Sequence, residues 1–316
     1  MTLNVKTLVK YCHLIGNRVD YVQGAGGNIS LKDDNGIMAI KASGTQLDHV
    51  SHSNGIAYVS YENYAKQLLS CKKEADYNRL NQQETRSDLA IERASMEVGF
   101  HAVLDTAVIH THNVYANILL CSHEGSNIIK AEFPTATVLD YVTPGLELSQ
   151  QVFKLAAKNK HDIAVFFLKN HGVIVAANTL EKAYAEHERI TDSLRKLINV
   201  TSYPSLNLSS ESNHVIGRSS VLTALIQKYG HAIIKNNVLF PDQAIYFLEH
   251  NIVFKETERQ YQSDKQAQAC EALLLAYYMI LDKINQHKWT ACYLSDTQIN
   301  SIMALSSEKF RQGKIK

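Results

Sequence analysis

Two histidines close together in sequence are the strongest indication of chemistry in this chain of 316 residues. His110 and His112 follow residues 107–109, an apolar run that predicts a strand. Side chains two positions apart on a strand point to the same face, with Cα atoms roughly 6.5 Å apart. Two imidazoles placed in this way can bind one metal ion, for which zinc is a common choice. Chance pairs are an alternative in a chain with 14 histidines, but unpaired imidazoles next to a buried strand would be costly.

A third histidine is a candidate for the same site. His171 lies in the polar sequence Asn170-His171-Gly172, between two apolar runs that predict strands. The pattern therefore presents an imidazole on a turn between buried strands. A turn histidine that faces the solvent is the alternative.

Glu97 is a candidate acid or base. On a predicted helix over 92–104, it shares one face with Phe100, His101 and Leu104. A carboxylate next to these side chains is partly desolvated, so we expect its pKa to be raised. A raised pKa suits general acid–base chemistry. The alternative is a carboxylate at the rim of the helix that pairs with Arg93.

Two turns rich in small residues could bind an anion. Residues 23–30 read QGAGGNIS, and residues 41–45 read KASGT directly after a predicted strand. Exposed backbone N–H groups, hydroxyls and a lysine in such turns suit a phosphate group. The first turn is not a dinucleotide fingerprint, because the third glycine position is occupied by Ile29 and a helix precedes it. Plain tight turns are the alternative for both.

The composition excludes several classes of protein. The chain is 45% hydrophobic with 14 Gly and 4 Pro, which is typical of a globular protein and not of a disordered or fibrous one. Its net charge of +1 gives no reason to expect a nucleic-acid or membrane-surface partner. The longest apolar run, 272–281, is half of a membrane span, and no signal sequence is evident. Five cysteines without a C-x-x-C pair predict free thiols in the cytoplasm.

The predicted organisation is a catalytic body over residues 1–198, a Ser- and Asn-rich linker or loop over 199–220, and a C-terminal extension over 221–316 that packs on the body. The body alternates helices and strands, which predicts an α/β layered protein. The predicted helices lie near 3–19, 60–73, 92–104, 113–122, 147–159, 179–198, 219–235, 264–286 and 296–312. The predicted strands lie at 36–41, 56–59, 107–109, 135–138, 163–168, 173–176, 243–247 and 252–254.

The order of these motifs resembles the class II aldolase/adducin family. GGNIS, KASG, S-x-E-x-x-x-H, H-x-H and NHG occur in the family's order and rough spacing over residues 8 to 198. The resemblance implies a three-layer α/β/α fold with a central mixed, largely antiparallel sheet, here followed by a helix-rich C-terminal extension. Residues 240–246 and 306–311 are similar to the tail of aldolase domains fused to short-chain dehydrogenases, although no dehydrogenase half follows here.

The resemblance also implies roles for individual residues. His110, His112 and His171 would bind a divalent metal, zinc in the first place, with Mn²⁺, Co²⁺ or Fe²⁺ as alternatives, and no nucleotide. Glu97 would be the acid/base residue. The phosphate-binding residues would be Gly27, Asn28, Ser43, Gly44 and Ser95.

The sequence departs from the family's fuculose-phosphate aldolases in three respects, the first of which is a shorter connection between His101 and His110. Met96 replaces a second hydroxyl next to the base, which bears on whether the substrate is phosphorylated. The tyrosine that protonates the leaving aldehyde has no clear counterpart, although Tyr115 and Tyr141 are candidates. Glu97 stands where the 4-epimerases have an aspartate, which favours an aldolase over an epimerase.

The resemblance implies a cytoplasmic, metal-dependent lyase. The expected reaction is retro-aldol cleavage of a sugar phosphate or related hydroxy-carbonyl compound through a metal-stabilised enediolate. The alternatives are a dehydratase or epimerase that uses the same site, and a non-catalytic, adducin-like binding protein. Members of the family form symmetric tetramers, so we expect a homotetramer or another homo-oligomer, with no nucleic acid or membrane as partner.

Overall fold

The computed structural model describes residues 3–158, 161–211, 213–248 and 252–306. Its main sheet has seven strands: β1 (Asn28–Lys32), β2 (Ile37–Lys41), β3 (Ile56–Ser60), β4 (Ala107–Thr111), β5 (Thr137–Leu139), β6 (Ala164–Leu168) and β7 (Gly172–Ala177). Their order is β3-β2-β1-β4-β7-β6-β5, and every pair is antiparallel except β5 with β6. Strand β4, which carries the H-x-H motif, therefore lies at the centre of the sheet.

Helices cover both faces of the sheet, because the strands carry apolar side chains on both. Ile29 and Ile109 face one hydrophobic cluster, and Val108 and Ile174 face another. The helices of the motif-bearing region are α1 (Val5–Gly16), α2 (Tyr61–Leu68), α3 (Glu74–Glu84), α4 (Val98–Val103), α5 (Val114–Leu120), α6 (Gly125–Glu132), α7 (Leu146–Ala156) and α8 (Leu180–Leu197). Residues of α1, α5 and α8 pack on the first face, and residues of α4 and α7 pack on the second. The predicted three-layer α/β/α class is confirmed.

The C-terminal part adds a small sheet and five helices among the described residues. Its strands are β8 (Leu208–Glu211), β9 (His214–Gly217), β10 (Val253–Phe254) and β11 (Arg259–Tyr261), and its helices are α9 (Ser220–Tyr229), α10 (Ile233–Asn236), α11 (Pro241–Phe247), α12 (Asp264–Gln286) and α13 (Asp296–Ala304). The long helix α12 packs against α5, and their apolar side chains belong to one hydrophobic cluster. This part of the chain therefore shares a core with the motif-bearing sheet.

Several local predictions are wrong. The strand predicted over 243–247 is part of helix α11, because Pro241 occupies the first helical position with a favourable φ and all seven residues of α11 are buried. The region 199–220 is not only a loop, since β8 and β9 form a hairpin within it. The helix predicted over 92–104 is confined to Val98–Val103. Strands β1 and β11 and helices α3 and α6 were not predicted. The helix predicted over 219–235 is divided into α9 and α10, because α9 ends at its C-cap, Gly230. The end of the helix predicted over 296–312 lies outside the described residues.

Two further observations concern membrane-spanning helices and the cysteines. Within the described residues, no helix combines the length and apolar character needed to cross a bilayer. All five cysteines are free, and four of them are buried.

Candidate metal centre and active site

Strand β4 places the first two histidines. His110 shares its face of the sheet with Val108, and its ring packs edge-on against Phe100 of α4, with centroids 5.5 Å apart. The carbonyl oxygen of Val173 on the adjacent strand lies 3.0 Å from His110 Nδ1. An Nδ1–H that donates to this carbonyl leaves Nε2 as the nitrogen with a free lone pair. His112 follows directly after the strand ends, on the same side.

The turn between β6 and β7 brings the third histidine next to them. Strand β7 pairs with β4, so that Val173 lies opposite Thr111. Gly172 is required at this point, because a Cβ there would lie 2.1 Å from the Thr111 carbonyl oxygen. Asn117 Nδ2 donates to the His171 carbonyl oxygen at 3.1 Å, which fixes the backbone of the turn. The register of two strands therefore sets the position of His171.

The three imidazoles form one buried cluster. Their ring centroids are 5.1 Å (His110–His112), 4.9 Å (His110–His171) and 5.1 Å (His112–His171) apart. One nitrogen of each ring lies within 4.8 Å of the other two.

The residues of this cluster fit a divalent metal. The Nε2 atoms of His110 and His112 are buried, and neither makes a hydrogen bond with any described part of the protein. Burial lowers the pKa of His171 to about 4, so its imidazole is neutral at physiological pH, which is the form that binds metal. Orphaned buried nitrogens are costly without a partner, and an ion would satisfy them.

Glu97 lies against this cluster. Its Oε1 is 3.2 Å from His171 Nε2 and 3.5 Å from His110 Nε2, and its Oε2 accepts a hydrogen bond from Asn28 Nδ2 at 2.5 Å. Glu97 is the N-cap residue of α4, so it precedes the helix and does not sit on the predicted helix face. The position nevertheless aims its carboxylate at the histidines.

The predicted rise in the pKa of Glu97 is wrong. Burial by itself raises that pKa, but His110 and His171 outweigh burial and hold it well below the ordinary value. Glu97 is therefore ionised at neutral pH and available as a proton acceptor.

One cleft contains the predicted anion-binding residues. It encloses about 420 Å³ of space, part of it open solvent. Its lining includes Glu97, His112 and His171 together with the whole predicted phosphate set, Gly27, Asn28, Ser43, Gly44 and Ser95. The structure thus brings residues from five separate motifs to one place.

Lys41 holds the two turns together. Its Nζ donates to the carbonyl oxygens of Ala25 at 2.7 Å and Thr45 at 2.9 Å, one in each turn, and the side chain is buried in the cleft wall. Gly27 has a left-handed φ of +69°, and a Cβ there would lie 2.6 Å from Val22 Cγ1. A glycine is therefore required where the first turn meets β1.

The residues that depart from the family pattern have different positions. Met96 lines the cleft next to Ser95. Tyr115 donates to Asp20 Oδ2 at 2.8 Å, and Tyr141 lines a separate depression beside α7 and α13. Neither tyrosine lines the cleft, so the structure supports neither as a proton donor there.

Sequence reasoning missed three residues of the cleft wall. Pro144 lies in no predicted element, and Pro241 and Asp242 come directly before a segment that was predicted to be a strand. Asp242 Oδ2 lies 2.9 Å from His112 Nδ1. A local pattern could identify the helix start at Pro241, but no local pattern shows that this helix start meets His112.

Comparison with known proteins places the chain in a family. Residues 6–198 match the model of the Class II Aldolase and Adducin N-terminal domain, and the chain belongs to this family. L-fuculose phosphate aldolase of Methanococcus vannielii is 26% identical over 203 residues, which are 63% of this chain and 97% of that protein. The 3-oxo-tetronate 4-phosphate decarboxylase of Escherichia coli K12 is 27% identical over 143 residues, 40% of this chain and 66% of that protein.

The fold agrees with a solved structure. The N-terminal class II aldolase domain of a conserved protein from Thermoplasma acidophilum superimposes with a TM-score of 0.56 at 23% identity, and the match covers 63% of this chain and 95% of that one.

Proposed function

We propose that the chain is a metal-dependent class II aldolase-type lyase that cleaves a phosphorylated hydroxy-carbonyl compound by a retro-aldol reaction. The observation that carries the proposal is the position of Glu97 Oε1, 3.2 Å from His171 Nε2 and 3.5 Å from His110 Nε2, at the end of a cleft lined by two anion-binding turns. Family membership and the aldolase relatives support it.

The three histidines would hold a divalent ion, with zinc as the first candidate and Mn²⁺, Co²⁺ or Fe²⁺ as alternatives. Such an ion supplies Lewis-acid stabilisation of the negative charge that develops on the substrate oxygens when the carbon–carbon bond breaks.

Glu97 transfers the proton to and from the carbon next to the substrate carbonyl. In the condensation direction Oε1 accepts that proton. In the cleavage direction the hydroxyl that becomes the aldehyde loses its proton as the carbon–carbon bond breaks, and Glu97, which must take up a proton first, delivers it from Oε1 to the carbon that the bond leaves. Asn28 holds Oε2 by its hydrogen bond and so leaves Oε1 as the atom that faces the histidines. The ionised state of Glu97 at neutral pH suits the accepting role.

The remote end of the substrate binds between the two turns. Gly27, Asn28, Ser43, Gly44 and Ser95 are proposed to receive a phosphate, and the binding energy released there positions the reacting carbons. Met96 lines the cleft next to Ser95, so a comparison of phosphorylated and unphosphorylated substrates tests the proposed phosphate site.

A substrate panel tests the proposal. We expect zinc-loaded protein to release triose phosphate from a ketose 1-phosphate such as L-fuculose 1-phosphate, and Glu97→Gln to lose the activity by at least about 100-fold. Glu124→Gln is the matched control, because Glu124 is also a helix N-cap whose carboxylate accepts hydrogen bonds, here from Thr290. It should retain wild-type activity.

Other outcomes would assign a different reaction. Carbon dioxide release from a phosphorylated 3-oxo acid, without ketose cleavage, would favour the decarboxylation named for the E. coli relative. Loss of water or epimerisation without cleavage would favour a dehydratase or epimerase. No turnover combined with ligand binding would favour an adducin-like binding protein. We also propose a homo-oligomer, which light scattering of the purified protein tests.

A further inference from the structure

We propose that Asp242 is a positioning residue of the metal centre, which makes helix α11 part of the active site although it lies outside the matched family domain. The inference rests on the proposed metal site. Asp242 Oδ2 lies 2.9 Å from His112 Nδ1, and only 2% of Asp242 and 8% of His112 are exposed. Helix α11 also supplies Pro241 to the wall of the cleft.

The contact gives His112 a defined orientation. The 2.9 Å contact between Asp242 Oδ2 and His112 Nδ1 is an ion-pair distance that does not have hydrogen-bond geometry in the structure. Because His112 Nε2 makes no hydrogen bond among the described residues, Nδ1 is the nitrogen that faces the carboxylate and would donate to it after a small rotation of the ring. His110 has the same arrangement, with Nδ1 next to the Val173 carbonyl oxygen and Nε2 free. A hydrogen bond from the second nitrogen fixes the tautomer and ring angle of a ligating histidine and raises its basicity. A carboxylate does this more strongly than a carbonyl, because it is charged.

Gly26 leaves the space that this pair needs. A Cβ at position 26 would lie 2.7 Å from His112 Nδ1 and 2.8 Å from Asp242 Oδ2. The backbone of Gly26 is not in the left-handed region, so the requirement for glycine here comes from space and not from conformation. The first turn thus fits around the aspartate–histidine pair as well as lining the cleft.

Hydrogen bonds fix α11 against the catalytic turns. Asn170, the residue before His171, donates through Nδ2 to the Leu239 carbonyl oxygen at 2.8 Å. The Gln243 side chain accepts from the Leu239 N–H at 2.7 Å and donates to the Ile234 carbonyl oxygen at 2.6 Å. At the other end of α11, the Ala25 N–H points to Tyr246 Oη at 3.4 Å. The helix therefore contacts both the turn of His171 and the turn of Gly26, and a shift of α11 would move Asp242.

Zinc affinity tests the role of Asp242. We would measure it on the full chain by competition with a chromophoric chelator, for the wild type, Asp242→Asn and the control Asp282→Asn. Asp282 is a buried carboxylate of the same C-terminal part, and it accepts hydrogen bonds from Lys228 and Tyr229 in place of a histidine. We expect Asp242→Asn to bind zinc about 10–100-fold more weakly than the wild type, and Asp282→Asn to bind it within about twofold.

A spectroscopic measurement separates positioning from general stability. With Co²⁺ in place of zinc, the visible bands of Asp242→Asn should change in position or intensity, while those of Asp282→Asn should superimpose on the wild type. Gly26→Ala provides a second variant in which the carboxylate is kept but the pair is displaced, and it should also weaken zinc binding. If Asp242→Asn does not fold, Asp242→Glu, which keeps the charge but moves the carboxylate, replaces it in both measurements, because the Cβ of Gly26→Ala also meets His112 directly.

The outcomes are distinguishable. Wild-type protein that binds no zinc would overturn the metal centre itself, and this inference with it. Wild-type protein that binds zinc, with equal affinity and an identical Co²⁺ spectrum in Asp242→Asn, would overturn only the role of Asp242. Tight zinc binding in Gly26→Ala would contradict the inference in the same way.

Discussion

Asn170 provides a test of how the C-terminal part is attached to the catalytic turn. It is buried, it has a left-handed φ of +55°, and its Nδ2 donates to two carbonyl oxygens, those of Leu239 at 2.8 Å and Cys292 at 2.7 Å. Asn170→Ala removes both hydrogen bonds and places a Cβ-bearing residue without a polar side chain in the left-handed region. We therefore expect the free energy of unfolding to fall.

The structure allows the magnitude to be worked out. A buried carbonyl that loses its donor costs roughly 1–2 kcal/mol, and the left-handed conformation costs alanine roughly 1 kcal/mol more than it costs glycine. The two lost hydrogen bonds thus cost about 2–4 kcal/mol, and Asn170→Ala loses up to about 1 kcal/mol more, because asparagine tolerates the left-handed conformation better than alanine does. Asn170→Gly loses the same hydrogen bonds without the conformational cost, so it should be about 1 kcal/mol more stable than Asn170→Ala.

Urea unfolding of the metal-free proteins, followed by circular dichroism, measures both differences. A loss below about 1 kcal/mol for Asn170→Ala would refute the inference that these two hydrogen bonds attach the C-terminal part. Equal stability of the alanine and glycine variants would refute the assigned conformation.

Three further predictions concern other buried groups. Burial, and then the neighbouring His110, lowers the pKa of His101 well below its usual value, so the unfolded chain binds more protons than the folded one below about pH 6.5. The contribution of His101 to the free energy of unfolding should be complete above that pH and should fall by up to about 1.4 kcal/mol per pH unit as the pH drops. Urea unfolding of the metal-free wild type and of His101→Gln at pH 5.5 and 7.5 measures this fall. An equal change of stability with pH in the two proteins would contradict the prediction. Gly27→Ala should lower the free energy of unfolding by about 1–3 kcal/mol in the same assay, because the φ of Gly27 is +69° and the new Cβ meets Val22. An unchanged midpoint of urea unfolding would contradict the described conformation of this turn. Burial raises the thiol pKa of Cys12, Cys121 and Cys270, so these three cysteines of the native protein should react slowly with a thiol reagent. Rapid modification of any of them would contradict its buried position in the core.

The residues of the site could be predicted from the sequence because their spacing is short-range. The i and i+2 spacing of His110, at the end of β4, and His112, directly after it, predicts that the two share a side. The NHG sequence predicts that His171 lies on a turn between two strands, which are β6 and β7. The two small-residue turns are also local patterns, and they do line the cleft next to the histidines.

The environment of Glu97 could not be predicted in the same way. Helical periodicity placed it among Phe100, His101 and Leu104 and predicted a raised pKa. In the structure Glu97 precedes the helix as its N-cap, and its carboxylate faces His110 and His171, which reverse the direction of the shift. The sign of the pKa shift depends on residues 13 and 74 positions away, which no local pattern contains.

Helix α11 illustrates the same limit for secondary structure. Its apolar residues, such as Ala244 and Phe247, are buried on all sides, so they show no helical periodicity and resemble a buried strand. Pro241 was the local indication of a helix start. The contact between Asp242 and His112 joins positions 130 residues apart and appears only when the chain is folded.

Metal content tests the central claim most directly. Elemental analysis should be made on purified protein freed of chelator, then exposed to zinc and washed, for the wild type, Glu97→Gln and His110→Ala. The proposed site predicts about one zinc ion per chain in the wild type and in Glu97→Gln, because three histidines hold the ion, and loss of that ion in a folded His110→Ala. Wild-type protein that retains neither zinc nor manganese would contradict the metal-dependent lyase and favour a binding protein.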